Sequence, residues 1–99
     1  MINAKDELLT ALANANQSIK DIIAFNIYYE SFGEDKSFKG TTLALSSLDF
    51  LYDEGYGSQH LYGTILFKDN TWLSRWEYDG NEGWEYNKPP TIEEVLVED

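Results

Sequence analysis

The chain has 99 residues, 18 acidic and seven basic side chains, a formal net charge of −11 and no cysteine. The lack of cysteine excludes disulfide frameworks, zinc–thiolate sites and thiol nucleophiles, and it fits a cytoplasmic location. The length predicts a single domain over residues 1–99 that can bury a core without cross-links. The charge argues against direct binding of nucleic acid or anionic membranes and favours basic protein partners.

The negative charge is concentrated in the second half of the chain. Residues 1–48 carry six acids and four bases, whereas residues 49–99 carry 12 acids and three bases. No apolar run approaches the roughly 20 residues of a membrane span. Asp6 and Glu7 stand where a signal peptide would carry basic residues, so we expect no signal peptide.

The first predicted element is a helix over residues 4–16. Asn3 is a suitable N-cap, and acidic residues follow it in the first turn, where the helix dipole favours them. Apolar residues then recur at helical spacing, namely Leu8, Leu9, Leu12 and Ala15.

The period then changes to two. In "IKDIIAFNIYYES" the alternation predicts a strand whose apolar face carries Ile23, Phe25, Ile27 and Tyr29. The next stretch, "FGEDKSFKG", is polar and is predicted to be a loop. "TTLALSSLDFLY" predicts a strand in two halves of opposite parity, with a bulge or break near Ser46 and Ser47.

Residues 60–79 predict a hairpin with a two-residue turn at Asp69-Asn70. This register places Trp72, Trp76 and Tyr78 in the core, with Trp76 covering the backbone of Gly63. The predicted core pairs are Phe67 with Trp72, Ile65 with Ser74, Gly63 with Trp76, and Leu61 with Tyr78. The other face is expected to be mostly wet, and it would carry Tyr62, Thr64, Leu66, Lys68, Leu73, Arg75 and Glu77.

A second turn falls at "DGNEG", and its register stays open. An odd loop length would keep Trp84 and Tyr86 on the face of Trp76, whereas an even length would send them to the opposite face. After "KPP", Thr91 and Glu94 form a capping-box pattern, which predicts a short helix or an acidic tail. The predicted fold is α+β: an N-terminal helix, then an antiparallel sheet of four to five strands, then a short C-terminal helix or tail.

Candidate sites of chemistry are weak, so we expect no catalytic, metal or cofactor site and no enzyme. His60 has no nucleophile in a recognisable motif near it, and a metal site of Asp53, Glu54 and His60 is less favoured than solvated loop residues. "DGNEG" begins like a calcium loop but then departs from it, since Trp84 replaces the required glycine and Pro90 the bidentate glutamate.

The remaining hypothesis is protein binding through an acidic aromatic surface. Carboxylates on a rigid sheet can imitate the phosphates of a duplex and so fit the channel of a nucleic-acid-handling protein. Tryptophan and tyrosine would add buried anchors. We expect the carboxylates to face water, and the predicted partner-binding residues are Asp53, Glu54, Tyr56, Glu77, Asp79, Glu82, Trp84, Glu85 and Tyr86. The wet face of the hairpin could instead form a homodimer contact.

Residues 52–86 resemble a segment of small acidic accessory proteins encoded by tailed phages of enteric and related bacteria. The shared pattern is "DEGYG", then G-x-x-x-F-x-D-x-T-W-L-x-R from Gly63 to Arg75, then E-Y-D-G-x-E-x-W-E-Y from Glu77 to Tyr86. Gly83 departs from it, because a second aromatic residue is expected there.

The resemblance implies a setting rather than an activity. It suggests an early phage product in the host cytoplasm that blocks a basic defence protein, as an anti-CRISPR or anti-restriction DNA mimic would. One alternative is an immunity protein that neutralises a basic nuclease toxin. Another is a structural or accessory domain whose charge only confers solubility.

Overall fold

The computed structural model describes residues 1–53 and 57–97, and its fold is α+β as expected. The helices and strands, in chain order, are β1 (Ile2–Asn3), α1 (Ala4–Asn14), β2 (Ile22–Ser31), β3 (Glu34–Gly40), β4 (Leu51–Tyr52), β5 (Leu61–Phe67), β6 (Trp72–Tyr78), β7 (Asn81–Asn87) and α2 (Ile92–Leu96). Within the described residues, five strands form an antiparallel sheet in the order β3-β2-β5-β6-β7. The short strands β1 and β4 form a separate antiparallel pair.

The N-terminal helix confirms the capping prediction. The side chain of Asn3 accepts hydrogen bonds from the backbone N–H groups of Lys5 and Asp6, so it caps α1 as expected. Leu8 and Leu12 of the helix are buried, whereas Leu9 is largely exposed. The helix therefore contributes one apolar stripe to the core, and its other side faces water.

Strand β2 keeps the predicted alternation except at its start. The register with β5 shifts between Ile22 and Ala24, and this bulge turns Ile22 into the core and leaves Ile23 exposed. The placement of Ile23 on the apolar face was therefore wrong, whereas Ile27 and Tyr29 are buried as expected.

The predicted loop at 32–40 is wrong, because most of it forms strand β3. Phe32 and Gly33 both have positive φ, at 48° and 82°, as a type I′ turn requires, and Ser31 pairs with Glu34 directly across it. The polar composition of β3 suits an edge strand, where charged side chains discourage pairing with other chains.

The two-part strand predicted over residues 41–52 is mostly wrong, because little of this stretch is extended. Residues Leu45–Leu48 form a 3₁₀ helix, and the strand β4 that follows it has two residues. The expected break near Ser46 and Ser47 is confirmed in this form. Leu43, Leu48 and Tyr52 are buried against α1 and the sheet.

The β5–β6 hairpin forms, but its predicted register was wrong by one residue. The N–H of Phe67 donates to the carbonyl of Thr71, and Ile65 pairs with Leu73, so the loop has three residues rather than two. Asn70 closes it with φ of 69°. A one-residue shift reverses the faces of a strand.

This shift brings Leu73 and Arg75 to the core side of β6. It sends the residues expected in the core, Trp72, Trp76 and Tyr78, to the opposite side, where Trp76 is 41% exposed and Tyr78 77% exposed. The turn between β6 and β7 has two residues, Asp79 and Gly80, both with positive φ, so it is a type I′ turn.

Because that loop length is even, Trp84 and Tyr86 lie on the other face of the sheet from Trp76, and they pack against the core cluster. The C-terminal capping box is also confirmed, since Thr91 accepts from the N–H of Glu94 and the Glu94 carboxylate accepts from the N–H of Thr91. Residues 88–97 are all exposed.

Candidate functional site

The five-stranded sheet has two very different faces. One face packs Ile27, Ile65 and Phe67 against α1 and the 43–52 segment and forms the core. The described side chains of the other face, named the outer face here, are all exposed or half-buried. The outer face consists of Ala24, Asn26, Tyr28, Glu30, Asp35, Ser37, Lys39, Tyr62, Thr64, Leu66, Trp72, Ser74, Trp76, Tyr78, Asn81, Glu85 and Asn87, with Gly83 beneath Trp76.

Trp76 is held flat against the sheet by a glycine. It pairs with Gly83 of β7, and a Cβ atom at position 83 would lie 3.0 Å from Cζ2 of the Trp76 indole. The indole therefore covers the bare backbone of Gly83 rather than that of Gly63. This contact fixes the ring orientation while leaving much of the indole open to solvent.

A second aromatic group lies across the strands on the same face. The rings of Tyr28 and Tyr62 lie 6.1 Å apart between centroids, and the Tyr28 hydroxyl donates to the carboxylate of Glu30. Burial, the hydrogen bond to Glu30 and the nearby charge of Asp35 raise the pKa of Tyr28 to about 12. Tyr28 is therefore a neutral hydrogen-bonding aromatic group in a negative environment at physiological pH.

Carboxylates surround these aromatic groups. Glu85 lies on the outer face beside Ser74, Glu30 and Asp35 pair across β2 and β3, and Asp79 stands in the β6–β7 turn. All four are exposed. Aromatic rings bounded by solvated carboxylates make a surface that favours cationic, apolar-stemmed side chains of a partner.

The predicted partner-binding residues do not share one surface. Glu77, Asp79 and Glu85 are exposed as expected, and Asp53, which directly follows β4, is half-buried. Glu54 and Tyr56 lie outside the described residues. The remaining three, Glu82, Trp84 and Tyr86, face the core side of β7.

The expectation that Glu82 faces water was therefore wrong. Glu82 is only 5% exposed. The two-residue turn places it on the same side of β7 as Trp84 and Tyr86, where it lies beside Arg75. The aromatic groups that this hairpin offers to solvent are Trp76 and Tyr78.

Glu82 belongs to a buried cluster around Arg75. The guanidinium donates from Nη1 to Glu7 at 2.8 Å, and from Nη2 to Glu82 and to the Tyr52 hydroxyl, each at 2.8 Å. The rings of Tyr52 and Trp84 flank it, with Cζ at 5.9 Å and 4.9 Å from their centroids. The cation is thus paired, hydrogen-bonded and stacked, as a buried arginine requires.

The cluster shifts the pKa of two of its members. Burial alone would lower the pKa of Arg75, but the charge of Glu7 and the hydrogen bond with Glu82 raise it above its ordinary value. Burial and the hydrogen bond that Tyr52 donates to Glu7 raise the pKa of the Tyr52 hydroxyl. The arginine stays charged and the phenol stays neutral over the physiological range.

The same cluster joins β5 to the hairpin where regular strand pairing ends. The pairing between β5 and β6 covers Thr64–Leu66. Near Leu61, side chains satisfy the backbone instead: Arg75 Nε donates to the Leu61 carbonyl, and Glu82 accepts from the N–H groups of His60 and Leu61. The cluster therefore fixes the positions of His60 and Leu61 beside the hairpin.

Residues 1–53 and 57–97 show no side-chain arrangement that indicates catalysis or metal binding. The ring nitrogen Nδ1 of His60 lies 3.1 Å from the carbonyl of Glu30, which fixes the ring orientation. Among the described residues, no group of three or more histidine, aspartate or glutamate side chains could hold a metal ion. No helix in residues 1–53 or 57–97 has the length and apolar character needed to cross a bilayer.

Comparison with known protein families, with curated proteins and with solved structures finds no significant match for this chain. The case for function therefore depends on the residues themselves.

The sequence-based interpretation missed the outer-face aromatic groups as candidate anchors. Two signals could have revealed them. "YDGN" contains Asp-Gly, the preferred dipeptide of a two-residue hairpin, which fixes the β6–β7 register. Asn70 suits the left-handed position that ends a three-residue loop, which would have set the β5–β6 register.

Proposed function

We propose that this protein binds a basic, nucleic-acid-handling protein of a host cell and blocks its nucleic-acid channel. The observation that carries the proposal is the outer face, on which the described side chains are exposed or half-buried and aromatic groups lie among exposed carboxylates. An exposed surface of this kind is a candidate interaction site. The charge of −11 favours a cationic partner and speeds its encounter.

The division of roles within the proposed site follows from exposure. Trp76 and Tyr78 would be the anchors, because large exposed rings on a rigid strand lose little freedom when they become buried. Glu30, Asp35, Asp79 and Glu85 would supply the negative charge that replaces phosphate groups. The setting of a phage product acting against a bacterial defence protein comes from the resemblance of residues 52–86 and is proposed on that basis.

The test is affinity capture with matched variants. The purified protein is immobilised, bacterial lysate is passed over it at low and at moderate salt, and the retained proteins are identified. We expect one basic nucleic-acid-binding protein or complex at moderate salt. Trp76→Ala should weaken its binding roughly tenfold or more, as loss of an interface anchor does. Circular dichroism checks that the variant stays folded.

A charge-matched pair separates local recognition from net charge. Glu85→Gln on the outer face and Glu93→Gln in α2 remove the same charge, so only the first should weaken capture and lower its salt dependence. A salt-labile mixture of basic proteins that Trp76→Ala leaves unchanged would show that the charge confers only solubility. A retained nuclease toxin would support the immunity-protein alternative instead.

A further inference from the structure

Strand β3 is one of the two outer strands of the sheet, and one of its edges has no partner strand in residues 1–53 and 57–97. In a strand, the backbone N–H and C=O groups of successive residues point alternately to its two sides. The N–H of Glu30 donates to the carbonyl of His60 beside β5, so the odd-numbered residues of β2 bond to β3 instead. Their partners on β3 are the even-numbered residues, such as Lys36 opposite Tyr29.

Three residues of β3 therefore direct their backbone groups away from the sheet, namely Asp35, Ser37 and Lys39. Their side chains lie on the outer face and are exposed. Within the described part of the chain, no strand or loop forms a hydrogen bond with these backbone groups. An exposed row of unpaired backbone groups can pair with a strand of another chain.

The charges of β3 match those of a second copy of the same strand. The strand carries two acids and two bases, so it has no net charge in a chain of −11. A two-fold axis through Ser37 sets Asp35 of each copy opposite Lys39 of the other. Directly opposite residues of an antiparallel pair lie on the same face, where opposite charges attract. The three outward residues are symmetric about this axis, so all of their backbone groups find partners.

Other ways of pairing two copies are less favourable. An axis at Lys36 sets two lysines opposite each other, and an axis at Phe38 leaves Asp35 without a base opposite it. The other outer strand, β7, carries Glu82 and Glu85 and no base, so pairing two copies of it brings together like charges only. Charge therefore selects both the strand and the register.

We infer that the protein forms a two-fold homodimer through β3, which joins two five-stranded sheets into one continuous sheet. The charges that discourage pairing with strands of other sequence favour this copy, because each meets its opposite. The Tyr28 hydroxyl also faces Asp35, and a carboxylate can accept hydrogen bonds from both Tyr28 and a lysine. The dimer places two outer faces side by side. The inference does not depend on the proposed function.

The test is sedimentation velocity of the full-length protein over a range of concentrations. About 0.15 M salt screens the long-range repulsion between two chains of −11. We expect a monomer–dimer equilibrium with a dissociation constant of roughly 1–100 μM, as suits a small interface. In hydrogen exchange, the amides of Asp35, Ser37 and Lys39 should exchange more slowly as the protein concentration rises.

Two charge reversals test the register. Lys39→Glu sets acid opposite acid at both ends of the pairing, and Asp35→Lys sets base opposite base, so each should weaken the dimer roughly tenfold or more. Asp35→Lys also makes the chain less negative, so an explanation from net charge alone predicts a tighter dimer. Glu93→Lys in α2 makes the same change of charge away from β3 and should leave dimerisation nearly unchanged.

A mixture of the two reversed variants completes the test. Lys39→Glu and Asp35→Lys in equal amounts should form a heterodimer of about wild-type strength, because each acid then meets a base across the axis. Circular dichroism checks that both variants are folded. A monomer at all concentrations, exchange that slows elsewhere but not in β3, a tighter dimer of Asp35→Lys, or a mixture of folded variants that stays monomeric would each overturn the inference.

Discussion

The buried cluster around Arg75 makes a quantitative prediction about stability. The side chains of Arg75 and Glu82 are 2% and 0% exposed, and that of Glu7 is 12% exposed. Arg75 is the shared partner of both carboxylates, so Arg75→Met leaves two of them without their cation. We expect this change to cost about 3–5 kcal/mol of unfolding free energy, the range for breaking a buried ion pair.

Removal of either carboxylate should cost less than removal of the arginine. Glu82→Gln keeps one acceptor oxygen but turns an amide donor toward N–H groups of His60, Leu61 or Arg75, for a cost of about 2–4 kcal/mol. The Glu7 carboxylate is partly solvated, so Glu7→Gln should lower the free energy of unfolding by only about 1–2 kcal/mol. The main expectation is that the loss of stability decreases in the order Arg75→Met, Glu82→Gln, Glu7→Gln.

The assay is urea unfolding followed by tryptophan fluorescence and by circular dichroism. A domain of this size has about 5–15 kcal/mol of stability, so each difference is measurable. The double variant Arg75→Met/Glu82→Gln should cost less than the two single changes together by about 1–3 kcal/mol, because Glu82 is then no longer a buried charge without a cation. Single changes below about 0.5 kcal/mol, the level of ordinary surface substitutions, would refute the buried-cluster account.

Two further predictions concern single positions. Gly63→Ala places a Cβ atom 2.6 Å from the carbonyl oxygen of Asn26, so it should lower the free energy of unfolding in urea by at least about 2 kcal/mol. In the control variant Gly33→Ala the new Cβ meets no atom within 4 Å, and the loss should be smaller. Equal losses in the two variants would contradict the close approach at Gly63. Hydrogen bonds from the hydroxyl and N–H of Thr71 lower the pKa of Asp69 below its ordinary value. A depressed carboxyl pKa stabilises the fold above the unfolded value of about 3.9, so the stability advantage over Asp69→Asn should shrink as pH falls from about 5 to 2; a constant difference would refute this.

The sequence predicted those elements whose signals are local. The cap at Asn3, the capping box at Thr91 and the alternation in β2 each depend on neighbours within a few residues, and the structure confirms all three apart from the start of β2 at Ile23. The α+β class followed from the order of these patterns. Strand β3 was missed because its stability comes from pairing with β2 and not from its own composition.

The predicted partner-binding surface was wrong largely because the β5–β6 loop is one residue longer than expected. A three-residue loop in place of a two-residue loop exchanged the faces of β6, which moved Trp76 into solvent and Arg75 into the core. Hydropathy favoured the opposite arrangement, since tryptophan suits a core better than arginine does. Arg75 can be buried only because Glu7, Tyr52 and Glu82 surround it, and they come from three distant parts of the chain.

That arrangement has a consequence for how the protein can change over generations. The four side chains are separated by up to 75 positions along the chain, yet each is useful mainly in the presence of the others. A lineage that loses Arg75 leaves two buried acids and a buried phenol without their common partner. Substitution there should proceed as a joint exchange of the whole set for apolar residues. The outer face has no such constraint, so it is free to diversify as a partner changes.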